Sequence, residues 1–228
     1  VANTSKTDDV SFDSSRGPGI TGALLKPEIA APGSSIYAAI PGNKYDYKSG
    51  TSMAAPHVAG AAALLLQADP TLTALQLKQR LVQNTDPLKE SFWDHGTGRL
   101  NVQKAVQGQL ALDQSAIYLG LLNSADFAKQ GTRRFSVQNN STQAIELTLK
   151  TSGTPVFLTA TLSSSSVKLA PGETKDVDLS YLVDSAKVPE NPPGNAVHQF
   201  NIELTGGSHT QNLPVLLDHY FLFKLNLA

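Results

Sequence analysis

The clearest chemical signal in this sequence is a serine that stands between small residues and a long apolar run. Ser52 follows Gly50 and Thr51, and residues 58–66 contain only alanine, glycine, leucine and valine. The run predicts a helix, and because it has no polar stripe we expect that helix to be buried on all sides. Free N–H groups at the start of a helix favour developing negative charge. Ser52 is therefore a candidate nucleophile that attacks a carbonyl carbon while its own N–H helps to hold the oxyanion.

A simpler role for Thr51 or Ser52 is to cap the helix. For an isolated Thr-Ser pair ahead of an apolar helix, capping is the better interpretation, because caps are much more common than nucleophiles. The surrounding string changes that balance, since residues 50–60 read Gly-Thr-Ser-Met-Ala-Ala-Pro-His-Val-Ala-Gly. This string closely resembles the serine motif of the subtilisin-like proteases, or subtilases. The resemblance extends through about the first hundred residues.

The resemblance implies a role for each residue around the serine. Ser52 is the expected nucleophile of a serine endopeptidase that hydrolyses peptide bonds in polypeptides through an acyl-enzyme. Gly50 lets a substrate backbone approach closely. Lys48 and Ser49 resemble positions that line the leaving-group side of the subtilase cleft. The expected oxyanion- and substrate-binding set is Lys48, Ser49, Gly50, Thr51 and Met53.

The other members of the catalytic triad are expected upstream of this sequence. Subtilases carry their triad in the order Asp, His, Ser, so the resemblance places the Asp, the His and the oxyanion-hole Asn before Val1. His57 is five residues from Ser52, a spacing that turns its side chain well away from the serine on a helix. It belongs to the family's motif without being the base. We therefore expect this chain alone to be an inactive piece whose partner is the missing N-terminal half of the catalytic domain.

Further signals indicate the elements that position the serine. Residues 73–76 form a capping-box pattern that predicts a second helix, ended by Asp86-Pro87. Residues 98–102, Gly-Arg-Leu-Asn-Val, resemble the closing element of subtilase catalytic domains and lead into a short helix. Trp93, which lies nearby, is assigned a structural role. The expected fold of residues 1–110 is the C-terminal portion of a doubly wound α/β domain with a parallel sheet.

The pattern changes from about residue 117 onwards. Helical spacing gives way to period-two alternation, as in residues 144–149 and 177–182. Pro-Gly and Gly-Gly turns separate these runs. The pattern predicts an all-β immunoglobulin/fibronectin-like sandwich over residues 113–228. It resembles the fibronectin type III-like domain that follows the catalytic domain in some cell-envelope and large extracellular subtilases, and we expect it to fold by itself and to act as a spacer or docking module.

Composition and residue spacing narrow the functions and binding sites that remain open for this chain. The net charge is −1 and no basic run is present, which argues against nucleic-acid binding. No apolar run is long enough to span a bilayer, and the chain has no cysteine. No cluster of His, Asp and Glu has metal-ligand spacing, so no metal or cofactor is expected here. The resemblance implies calcium only for the full-length enzyme, and a secreted or cell-envelope location.

Two functions compete at this point. The first is the nucleophile-bearing segment of a serine endopeptidase with an accessory β-sandwich. The second is a binding or structural module whose protease fold has degenerated. The intact Ser52 motif favours the first, because the missing triad members are explained by their place upstream.

Overall fold

A computed structural model describes residues 1–5, 8–17, 26–122, 128–189, 196–207 and 209–219. Among the described residues up to residue 107, four short strands come first, and helices and two further short strands follow. In chain order they are β1 (Ala2–Thr4), β2 (Ala30–Pro32), β3 (Ile36–Ile40), β4 (Lys44–Lys48), α1 (Thr51–Ala68), α2 (Ala74–Gln83), β5 (Thr85–Asp86), α3 (Phe92–His95), β6 (Arg99–Leu100) and α4 (Val102–Gln107).

A small sheet in the order β1-β2-β6-β5 forms the base of this α/β part. The pairs β1–β2 and β2–β6 are parallel, whereas β5 joins β6 in the antiparallel sense. Apolar side chains of α1, α2 and α4 pack together with the residue that precedes β2. The buried members of this cluster are Ile29, Ala61, Leu65, Leu81, Val82 and Ala105. The α/β class and the parallel strands agree with the sequence analysis.

The prediction that α1 is buried on all sides is wrong for the described chain. Ala54, Ala61 and Leu65 are its buried residues. Leu64 and Leu66 keep 51% and 39% of their surface exposed. The described sheet and helices cover one side of α1 only, so the helix presents an apolar face to the outside.

In the second half of the chain, the described residues form strands and one short 3₁₀ helix. The strands are β7 (Leu110–Leu112), β8 (Ile117–Leu121), β9 (Gln130–Asn139), β10 (Ile145–Ser152), β11 (Leu158–Leu162), β12 (Ser166–Leu169), β13 (Thr174–Val183), β14 (Ala196–Gly206) and β15 (His209–His219), with the 3₁₀ helix at Ser185–Lys187.

These strands form two sheets that share one hydrophobic core, and we call this two-sheet part the sandwich. One sheet has the order β12-β10-β14-β15-β8 and the other β11-β13-β9-β7. Leu147 and Phe200 from the first sheet belong to the same buried cluster as Phe135 and Leu179 from the second. Along β10 buried and exposed residues alternate, as the period-two pattern requires. β7 straddles the predicted domain boundary and pairs with β9.

The two parts of the chain meet at a junction with both apolar and polar contacts. Trp93 of α3 and Tyr118 of β8 pack edge to face, with 6.1 Å between the ring centroids. Asp218 of β15 is fully buried beneath them. Its carboxylate accepts hydrogen bonds from Trp93 Nε1 at 2.9 Å and from the Tyr118 hydroxyl at 3.1 Å. A residue of the sandwich thus anchors a helix of the α/β part.

No helix in the described part of the chain is both long enough and apolar enough to cross a bilayer.

Candidate active site

Ser52 lies in the first turn of α1, at the end of the short loop that follows β4. The helix begins at Thr51 and its N-cap is Gly50, so neither Thr51 nor Ser52 is the cap. The Ser52 side chain is exposed. The simpler interpretation of Ser52 as a helix cap is therefore wrong, and its hydroxyl is left at the surface.

Gly50 is needed for its backbone conformation as well as for its small size. Its φ of 143° is one that residues with a side chain rarely adopt. Its N–H donates to the Gly33 carbonyl at 2.9 Å, which fixes the loop to the segment after β2. The nearest atom that a Cβ at this position would meet is 3.9 Å away. The space beside Gly50 is therefore open to another backbone.

The start of α1 leaves backbone donors available beside the serine hydroxyl. The Gly50 carbonyl accepts from Met53 N at 2.9 Å and from Ala54 N at 3.3 Å. The N–H groups of Thr51 and Ser52 precede these first helical bonds, and no acidic residue stands in the first turn. The positive end of the helix therefore faces outward next to Ser52 Oγ. This geometry is suited to hold negative charge on an oxygen that the serine attacks.

Pro56 affects the same turn from within the helix. Proline has no N–H, so the Ser52 carbonyl lacks the usual donor four residues later. His57 Nδ1 lies 2.8 Å from the Met53 carbonyl oxygen, a hydrogen bond when that nitrogen carries the proton. The imidazole is thus attached to the backbone of its own helix. No described histidine or carboxylate is hydrogen-bonded to the Ser52 hydroxyl.

The residues before Gly50 lie on an exposed hairpin. Ser49 Oγ accepts a hydrogen bond from Ser35 N at 2.8 Å, so its side chain closes the base of the hairpin formed by β3 and β4. Lys48 lies 3.5 Å from Asp46, and both side chains are about half exposed. The ammonium group is therefore partly neutralised by its neighbour. Met53 is half-buried in the first turn of the helix.

Asn3 supports the serine loop from below and was not identified in the sequence analysis. It is fully buried in β1, and its Oδ1 accepts from Ser34 Oγ at 3.2 Å. A Cβ added to Gly33 would lie 2.5 Å from Asn3 Oδ1 and 2.7 Å from the Gly50 carbonyl oxygen. Asn3 and Gly33 therefore set the position of Gly50. The only local signal was a polar residue inside a short strand.

The region around the serine contains no described metal centre. Within the described ranges, no three His, Cys, Asp or Glu side chains gather in a way that could hold a metal ion. The chemistry available at this site is that of a hydroxyl group beside free backbone donors.

Comparison with known proteins finds similarity to subtilases in the part of the chain that contains Ser52. Residues 1–107 match the sequence model of the subtilase family. Subtilisin DY from Bacillus licheniformis is 50% identical over 80 residues, which is 35% of this chain and 29% of that protein. The minor extracellular protease Vpr from Bacillus subtilis (strain 168) is 27% identical over 216 residues, or 90% of this chain and 26% of Vpr. The subtilisin-like protease SBT3.16 from Arabidopsis thaliana is 39% identical over 117 residues, covering 44% and 15% of the two chains.

The similarity to the subtilase family model thus covers the α/β part of the chain, which contains Ser52. The match to the family model ends at the end of α4, whereas the alignment with Vpr extends over most of the strands as well. The chain spans less than a third of the length of each of these relatives.

Proposed function

We propose that this chain supplies the nucleophile-bearing part of a serine endopeptidase that hydrolyses polypeptides through an acyl-enzyme at Ser52. The observation that carries the proposal is the geometry at the start of α1. The Ser52 side chain is exposed, follows a glycine at φ 143° and stands beside unpaired helix N–H groups. The similarity of residues 1–107 to subtilases supports the same assignment.

In this proposal the chain's own groups perform two tasks. Ser52 Oγ attacks the scissile carbonyl carbon, and the Ser52 N–H donates to the oxygen that becomes negative. Gly50 leaves room for the substrate backbone, and Asn3 with Gly33 holds that glycine in place. Lys48 and Met53 flank the cleft, and Ser49 keeps the hairpin closed. The hydroxyl remains a weak nucleophile until an imidazole accepts its proton.

That imidazole, its orienting Asp and the side-chain oxyanion donor are assigned to an upstream segment of a longer protein. The exposed apolar face of α1 supports this part of the proposal, because Leu64 and Leu66 would gain burial if another segment packed on the helix. We also propose that the two-sheet part is an accessory domain that resembles fibronectin type III domains. The similarity to Vpr, which is named a minor extracellular protease, supports a secreted or cell-envelope location.

A fluorophosphonate probe tests the proposal, because it labels only an activated serine. We expect no labelling of residues 1–228 alone and rapid labelling of Ser52 in a longer protein that includes the upstream segment. The Ser52→Ala variant of the longer protein should lose both labelling and peptide hydrolysis. The expected rate loss is on the order of a millionfold, the magnitude known for removal of the catalytic serine of subtilisin itself. Ser165→Ala, an exposed serine in the sandwich, is the matched control and should retain both.

The outcomes of this experiment separate the two functions. A longer protein that keeps an intact fold and never labels at Ser52 would favour the binding or structural module. Rapid labelling of the 228-residue chain alone would mean that it contains a base, and His57 would be the first residue to test.

A further inference from the structure

Two histidines of the sandwich lie side by side on strands β14 and β15. In the antiparallel register His198 pairs with Leu217, and His219 pairs with Ala196. Residues two apart on a strand share a face, so the two histidines are diagonal neighbours on one face of the sheet. Leu217 on that face is buried in the core. The two imidazoles therefore lie at one end of the core between the sheets.

The rings are close, and one nitrogen of each ring is buried without a partner. Their centroids are 6.0 Å apart and the ring planes are tilted by 36°. His198 Nε2 and His219 Nδ1 are both buried without a hydrogen bond, and His219 as a whole is only 6% exposed. Phe157 closes the site on the side of His198, edge to face at 4.8 Å. An unsatisfied buried nitrogen is costly, so two at one place are unusual.

We propose that His198 and His219 form a two-imidazole binding site for a divalent transition metal ion of the Zn²⁺ or Ni²⁺ type. A neutral imidazole offers one lone pair to a metal, and this pair of rings offers two. With N–metal bonds of about 2.0–2.1 Å, two rings on one ion have centroids about 5–6 Å apart, which the observed spacing matches at its upper end. A nitrogen-only ligand set favours Zn²⁺ or Ni²⁺ over Mg²⁺ and Ca²⁺, which require oxygen ligands.

A metal ion bound between the rings would give a partner to the buried, unpaired nitrogen of each ring. The remaining coordination positions are left to water or another ligand, and the bound ion would join β14 to β15 at this end of the sandwich.

The site could not be recognised from sequence spacing. The two histidines are separated by twenty residues in the chain and come together only through the pairing of β14 with β15. The expectation that this chain holds no metal rested on local ligand spacing alone, which does not register a cross-strand pair.

Metal titration of the 228-residue chain, purified without a polyhistidine tag, tests the site at pH 7.5. We expect saturable binding of about one Zn²⁺ or Ni²⁺ by calorimetry. The melting temperature should rise by about 5–10 °C at a free metal concentration of one hundred times the Kd. Mg²⁺ should produce neither effect. His198→Gln and His219→Gln should each abolish the saturable binding. His209→Gln, on the same strand but outside the pair, is the matched control and should retain it.

A second measurement uses the wild-type chain only and does not depend on how the variants fold. Nitrogen-15 NMR of the histidine side chains reports on ring nitrogens whether or not they are buried. Zn²⁺ should shift the ring-nitrogen resonances of His198 and His219 while leaving those of the exposed His57 unchanged. The proposal is overturned if the wild type shows no saturable binding, if binding survives both single substitutions, or if Mg²⁺ stabilises the chain equally.

Discussion

The sandwich and the α/β part of this chain differ in how completely they bury their apolar residues. Both sheets of the sandwich contribute to one core, in which Phe135, Leu147 and Phe200 are almost fully buried. In the α/β part the cluster that α1 forms with its neighbours contains only six buried residues among those described. The opposite face of that helix, including Leu64, stays exposed.

This difference in burial follows from the hydrophobic patterns of the two regions. Strands that alternate apolar and polar residues need cover on one face, and the facing sheet provides it. A helix that is apolar all round needs cover on every side, and the described α/β part covers only one side. The apolar run of α1 has no polar stripe. It therefore indicates a helix that needs more packing partners than the described chain provides.

Two matched Leu→Ala substitutions, one in each region, should test this difference in burial. The substitution in the sandwich core should have the largest effect. Leu147→Ala removes a fully buried side chain from the sandwich core, and it should lower the free energy of unfolding by about 2–5 kcal/mol. Leu64→Ala removes an exposed side chain of α1, and in the 228-residue chain it should change stability by less than about 0.5 kcal/mol. Urea unfolding followed by circular dichroism measures both values.

The same pair sharpens the comparison in a longer protein. If an upstream segment covers α1, the loss caused by Leu64→Ala should rise towards the value for a buried leucine. Equal losses for the two variants in the 228-residue chain would show that the exposed face of α1 is already covered there.

Trp93→Phe should have an intermediate effect, at the junction between the two regions. The substitution removes the indole N–H that donates to the buried Asp218 carboxylate. Leaving a buried acceptor without one of its partners costs about 1–3 kcal/mol. Thermal unfolding should show the loss, together with faster limited proteolysis between residues 108 and 115. Tyr45→Phe, which removes an exposed hydroxyl, is the control and should be neutral. An unchanged melting temperature for Trp93→Phe would mean that the two parts do not depend on this contact.

A smaller effect, dependent on pH, should arise in the α/β part. Burial raises the pKa of Asp86, but hydrogen bonds from Lys104, Arg99 and Asn101 outweigh it and lower the pKa to about 2 from its ordinary 3.8. Between these values the unfolded state binds more protons, so stability falls as the pH falls. The contribution is complete above about pH 5 and is lost by about pH 2. We expect about 1 kcal/mol, because the ion pairs are partly exposed.

Asp86→Asn isolates that contribution from those of other carboxylates. Urea unfolding at pH 7, 5, 4 and 3 should give a shallower decline for the variant than for the wild type. Parallel curves would show that Asp86 has the same pKa in the folded and unfolded chains. Asp46→Asn, on the exposed hairpin, serves as the control for removal of a surface charge.

Features determined by neighbouring residues were predictable from sequence, whereas those created by distant residues were not. The capping box of Thr73 and Gln76 is local, and the structure confirms both of its hydrogen bonds. The helix that contains Ser52 likewise begins among the small residues that precede the apolar run, at Thr51. Local pattern could not show which side of that helix is covered, because the answer depends on what packs against it.

The residues that support the serine loop show the same limit of prediction from sequence. Asn3 acts on Gly50 through Gly33, across nearly fifty residues of chain. The partner of Trp93 is 125 residues away. The assignment of Trp93 as structural agrees with its burial, but composition and periodicity contain no information about which carboxylate it contacts.

The position of Trp93 gives the molecule a built-in optical reporter. It is the only tryptophan in the chain, and its ring lies where the α/β part and the sandwich meet. Selective excitation of this indole therefore observes that junction and no other place in the chain. Separation of the two parts would expose the ring to water and shift its emission to longer wavelength. Unfolding at either far end would leave the signal unchanged until the junction itself opened.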